Sequence, residues 1–119
     1  MISLPISTRY FLYHGPADMR KGFDALCGLV RQVLREDPLS GAIFIFINRN
    51  RTQVKLLHWE KDGFSIYYKR LERGTFELPQ SKDQQVKYEL SASILRLILD
   101  GVQLKSVRQR ERFSMPEKV

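Results

Sequence analysis

The sequence predicts a single α+β domain: an antiparallel β-meander packed by one amphipathic helix, with a second, C-terminal helix. Three observations carry this reading. Apolar residues recur at helical spacing from Met19 to Leu34. Three short runs rich in β-branched and aromatic residues follow between residues 43 and 70, separated by turn residues. A second apolar line at helical spacing runs through Ile94, Leu97 and Ile98. The two periods, 3.6 and 2, distinguish helix from strand. A length of 119 residues suits one core, since a domain of roughly 100 to 150 residues buries about two thirds of its unfolded surface. The domain is expected over residues 1–101, with a basic and flexible C-terminal tail over residues 102–119.

The elements follow in order. Arg9-Tyr10-Phe11-Leu12-Tyr13 reads as a short aromatic strand, stopped by His14-Gly15-Pro16. A helix is predicted over residues 18–36, because Met19, Phe23, Leu26, Cys27, Val30, Val33 and Leu34 form one stripe. Asp18 is its predicted N-cap, and Asp37-Pro38 ends the run. Strands are predicted over residues 43–48, 53–60 and 64–70, joined by the polar turn Arg49-Asn50-Arg51 and the tight turn Lys61-Asp62-Gly63. The helix of residues 18–36 is the natural cover for this sheet. In the last helix Ser91 or Ser93 is the N-cap and Gly101 the C-terminal stop. Leu95 and Leu99 widen its apolar stripe, so it is either buried on two sides or offered to a partner.

Composition excludes several classes. The single cysteine, Cys27, can form no internal disulfide, which fits a reduced cytoplasmic setting. Met1-Ile2-Ser3-Leu4-Pro5-Ile6 lacks the features of a secretory signal, and no apolar run approaches the roughly 20 residues of a membrane span. The net charge is +7, and the excess is uneven. Residues 43–79 hold seven Lys or Arg against four Asp or Glu, and residues 102–119 hold five against two. Such a surface attracts polyanions; the competing reading is a basic protein with nothing bound.

No catalytic constellation emerges, so no enzyme, cofactor, metal or small-molecule substrate is expected. His14 and His58 have no Cys, Asp or Glu at ligand spacing, and His58 beside Trp59 reads as packing or hydrogen bonding. Cys27 lies on a core face and reads as a small hydrophobe. The glycines are spaced as turns and caps, and no phosphate loop is present.

Binding candidates are better supported. Arg20 and Lys21 fall in the predicted first turn of the helix, where the dipole favours anions over cations. They form a candidate anion- or partner-binding site, unless Arg20 simply pairs with Asp24. If the register aligns them, Lys55, Trp59, Tyr67 and Lys69 form a cationic, aromatic surface suited to phosphates and bases. Alternatively Trp59 and Tyr67 are cross-strand core partners with snorkelling lysines. The candidate nucleic-acid contacts are Arg49, Arg51, Lys55, Lys69, Arg70 and Arg73.

Three blocks then carry a resemblance: Asp18-Met19-Arg20-Lys21-Gly22-Phe23-Asp24-Ala25-Leu26, the run around Lys55, Leu57 and Trp59, and Tyr67-Tyr68-Lys69-Arg70-Leu71-Glu72-Arg73-Gly74-Thr75-Phe76 closed by Pro79. From about Pro5 to Gly101 the chain resembles the TnpB-type accessory proteins, encoded by the second open reading frame of bacterial insertion sequences of the class numbered sixty-six. It does not resemble the RNA-guided nuclease that shares the name. The resemblance implies a role in DNA transposition beside a DDE-type transposase and a further small DNA-binding protein, and it supplies no catalytic residues. Two functions follow. The chain binds DNA through the hairpin cations, or it is an adaptor that docks the transposase through Arg20, Lys21 and the Leu95/Leu99 edge.

Overall fold

Ile43-Phe44-Ile45-Phe46-Ile47 has no polar residue on either side of the pleat, and such a strand is stable only when covered on both faces. In the computed structural model, which describes residues 2–79 and 85–101, this run lies at the centre of the sheet. The elements in chain order are β1 (Tyr10–Pro16), α1 (Phe23–Gln32), β2 (Ile43–Ile47), β3 (Gln53–Glu60), β4 (Gly63–Arg70), β5 (Lys87–Leu90) and α2 (Ala92–Leu99). The sheet order is β4-β3-β2-β1-β5.

The alternation of β2 assigns one helix to each face. Its isoleucines join Tyr10, Leu12, Val54 and Leu56 in a core with Leu95, Ile98 and Leu99 of α2. Its phenylalanines join Phe11 and Leu57 in a core with Leu26, Cys27 and Val30 of α1. Phe11 and Phe44 stack at 5.8 Å between ring centroids. The sheet is therefore sandwiched between two helices, where the sequence predicted one cover. Leu95 and Leu99 are fully buried in the first core, which fits burial, the first of the two alternatives for this stripe, and removes the apolar edge offered to a partner.

The sheet is mixed, a second departure from the all-antiparallel expectation. β2, β3 and β4 pair antiparallel, but β1 runs parallel to β2 and antiparallel to β5. Parallel neighbours need a long crossover, and the segment containing α1 supplies it. β1 also continues through His14 to Pro16.

Helix α1 is shorter than residues 18–36. Its N-cap is Gly22, with no side-chain capping bond. Asp18 is not the cap: its carboxylate accepts the Arg20 backbone N–H at 2.9 Å and forms a turn ahead of the helix. At the other end Arg35 adopts a left-handed conformation, φ 56°, and Glu36 N–H reaches back to the Val30 carbonyl at 3.0 Å. Helix α2 begins as expected, Ser91 Oγ accepting from Ile94 N–H at 3.2 Å. Gly101, φ 77°, follows its end, a conformation that favours glycine. The predicted tail over residues 102–119 lies outside the described residues.

Candidate nucleic-acid interface

The parallel pair β1–β2 sets where a site forms, because the loops leaving its carboxyl ends converge at one edge of the layer. Ala17 N–H donates to the Ile47 carbonyl at 2.9 Å, Leu71 N–H to the Thr52 carbonyl at 2.7 Å, and Phe76 N–H to the Arg51 carbonyl at 2.7 Å. These bonds draw the exits of β1, β2 and β4 to one end of the sheet. Arg49, Arg51, Arg70 and Arg73 all belong to these segments.

The β2–β3 turn is the rigid part of this end. Asn48 holds it: Oδ1 accepts from Thr52 N–H at 2.8 Å and Gln53 N–H at 3.0 Å, while its amide donates to Thr52 Oγ1 at 3.2 Å. Arg51 N–H closes the turn on the Asn48 carbonyl at 3.0 Å, with Arg51 at φ 57°. A left-handed non-glycine residue is disfavoured by about 1–3 kcal/mol, and the Asn48 bonds offset it. Two clefts flank the turn. One, of about 420 Å³, is lined by Pro16, Asp18, Asn48, Arg49 and Gln53. The other, of about 310 Å³, is lined by His14, Arg49, Arg51 and Leu78.

The cations divide by what they touch. Arg49, Arg51 and Arg73 have no side-chain partner among the described residues. Arg70 pairs with Glu72 at 3.0 Å across exposed side chains. Lys55 instead donates to the Met19 and Lys21 carbonyls at 2.7 and 2.8 Å, and Lys69 donates to the Leu99 carbonyl at 2.8 Å at the end of α2. Both of these lysines spend their donors on the protein's own backbone.

Arg20 and Lys21 lie in the loop before α1, not in its first turn. Arg20 pairs with Asp18 at 2.7 Å rather than with Asp24, and its side chain remains 91% exposed. Hydrogen bonds from the Arg20 side chain and backbone hold the Asp18 carboxyl at about 2, below its ordinary 3.8.

Register corrects the predicted aromatic surface. Lys55 pairs with Tyr68 and Leu56 with Tyr67. A one-residue offset changes faces, so Lys55, Trp59 and Tyr68 share the α1 side while Tyr67 and Lys69 lie on the α2 side. Trp59 meets Phe64 edge to face at 5.0 Å. His14 packs edge-on against Tyr88. Among the described residues no three of His, Cys, Asp and Glu gather in a group that could hold a metal ion, and no helix is long and apolar enough to cross a membrane. The sequence reading missed Asn48 and Tyr68. An Asn opening a polar turn was the available signal for the first.

Fold and site together define a small basic α+β module with a strand-end arginine cluster. The chain belongs to the family described as IS66 Orf2 like protein, which matches it over residues 8–109. That membership associates it with the transposition machinery of insertion sequences. Two proteins of Sinorhizobium fredii (strain NBRC 101917 / NGR234) are similar to it. The uncharacterized protein y4hO is 31% identical over 96 residues, covering 81% of this chain and 82% of the relative. The uncharacterized protein y4jC is 31% identical over 104 residues, covering 87% and 86%. No solved structure matches the chain.

Proposed function

We propose that this protein is a non-catalytic accessory factor of transposition that contacts DNA with the strand-end arginines Arg49, Arg51, Arg70 and Arg73. The observation that carries the reading is the Asn48-braced turn. It presents Arg49 and Arg51 from a fixed backbone, with neither side chain engaged among the described residues. Unpaired guanidiniums on a rigid turn suit phosphate oxygens, which accept bidentate hydrogen bonds. Lys55 and Lys69 instead hold the loop before α1 and the end of α2 through their carbonyl contacts.

The adaptor alternative retains Arg20 and Lys21 as a grip for an acidic segment of the transposase. It loses its apolar component, because Leu95 and Leu99 are core residues. DNA contact is therefore the preferred reading.

Fluorescence anisotropy against a labelled element-end duplex and a scrambled duplex, each across a salt series, tests it. Every phosphate contact contributes about 0.9 to the log–log salt slope. Arg49→Glu with Arg51→Glu is expected to lower that slope by about 2 on this rule. Salt-independent affinity, or an unchanged slope in the double variant, would count against the proposal. Binding only once transposase is added would favour the adaptor.

A further inference from the structure

Tyr68 is an anomaly on strand β4. Its alternate neighbours Phe64 and Ile66 pack against the α1 core, yet Tyr68, on the same face, is 52% exposed. An exposed tyrosine ordinarily samples several rotamers, and this one is tied at two points. Its hydroxyl donates to the Gln53 side chain, and the Lys55 ammonium lies 5.4 Å from its ring centroid. Lys55 is in turn fixed by the Met19 and Lys21 carbonyls. The ring is thus held in one orientation with much of its surface open to solvent.

The surroundings select the ligand. Beside the ring stand Lys55 and Gln53, and Arg70, paired with Glu72, follows two residues along the same strand face. A ligand joining a flat π surface to negative charge would meet both the ring and the cations, and a nucleotide is such a ligand. Bases within a duplex are already stacked, so a ring on the protein surface can reach only an unpaired one.

We infer that Tyr68 is a stacking platform for an unpaired nucleobase, with Arg70, exposed beside Glu72, the cation along the strand that a flanking phosphate would draw from its carboxylate. This deepens the DNA-contact reading and rests on it. The protein therefore holds single-stranded DNA through a contact that duplex DNA does not make.

The test compares the full chain and its Tyr68→Leu and Tyr68→Phe variants on a labelled oligothymidine and on a duplex of equal length, with thermal unfolding monitored for each. Tyr68→Leu is expected to weaken oligothymidine binding about ten-fold, the scale of one stacked base, with duplex affinity unchanged. Tyr68→Phe, which keeps the ring, is expected to stay near the parent. Equal oligothymidine affinity for the parent and Tyr68→Leu would overturn the inference while duplex binding still supported the DNA reading. Loss of affinity for both DNAs in Tyr68→Leu would also overturn it. Absence of binding to either DNA by the parent would overturn both. Photocrosslinking of the unaltered protein to a 5-iodouracil-substituted oligonucleotide gives a readout free of folding effects: adducts on the Tyr68 peptide are expected, and adducts confined to other peptides would refute the assignment.

Discussion

The Lys55 ammonium donates to the carbonyl of Lys21 at 2.8 Å, so a cation on strand β3 fixes the loop that leads into helix α1. Helix α1 has no side-chain cap of its own. Lys55 anchors the approach to it from across the sheet, with a second bond to the Met19 carbonyl at 2.7 Å. Two cations adjoin here in different roles: Lys55 turns inward to the backbone, and Lys21 offers only its carbonyl to that contact.

Lys55→Met keeps the aliphatic stem and removes the donors. Hydrogen bonds to charged groups contribute about 1.5–3 kcal/mol, and these acceptors are partly shielded. We expect a loss of about 2 kcal/mol, within that range because both contacts are only partly buried. Urea unfolding measures it. A loss near zero would show that solvent replaces the ammonium without cost.

Phe76 anchors the segment that carries Arg73. It lies beyond β4, outside any regular element, yet is fully buried in the α2-side core, and its N–H bonds the Arg51 carbonyl. Phe76→Ala should destabilise the fold by about 3–5 kcal/mol, the usual range for a buried Phe truncated to Ala. Phe76→Leu should cost less, because it refills most of the volume. Chemical denaturation of the two variants checks the order, and equal small losses would mean that the segment repacks.

What the sequence revealed depended on how local the cause was. The bounds of β3 follow from turn residues on either side, and Ser91 caps α2 because an N-cap is a contact across three residues. The β2–β3 turn with Arg49 and Arg51 was likewise legible from Arg49-Asn50-Arg51. The start of α1 was not. Asp18 has the chemistry of a cap, but its carboxylate is satisfied by Arg20, and the helix begins later. Nor was the parallel β1–β2 pairing, which the crossover decides rather than either strand. The site suffered most from register: pairing Lys55 with Tyr68 puts Tyr67 and Lys69 on the face opposite Lys55 and Trp59. Four-residue β5 and the burial of Phe76 depend on contacts far away in sequence.

Acid should weaken the fold partly through Asp18. Its folded value of about 2 lies below the ordinary 3.8, chiefly because of the Arg20 side-chain hydrogen bonds. A depressed carboxyl contributes stability above its unfolded value, and that contribution disappears as pH falls through the folded one. The window is therefore between 3.8 and about 2. Glu89, lowered by Arg9, acts in the same direction, so the comparison must be differential. The urea midpoint of the parent should fall more steeply across this window than that of Asp18→Asn. Because the pair is exposed, added salt should shrink the difference. Parallel midpoints at low salt would show that the turn ahead of α1 does not need the charge.

Cys27 reports on how often α1 leaves the sheet. The thiol is 5% exposed in the core with Phe44 and Leu57, and burial pushes its pKa upward. Both effects suppress the thiolate that reacts with disulfide reagents. In the folded protein, labelling by an aromatic disulfide at mildly alkaline pH should be slow, and it should accelerate with urea in step with global unfolding. Local opening of α1 would instead produce labelling that is rapid and nearly insensitive to low urea, since little new surface is exposed. Lys55→Met distinguishes the two regimes. If the Lys55 contacts to Met19 and Lys21 hold the helix entrance, that variant should label faster than the parent by more than its loss of global stability accounts for.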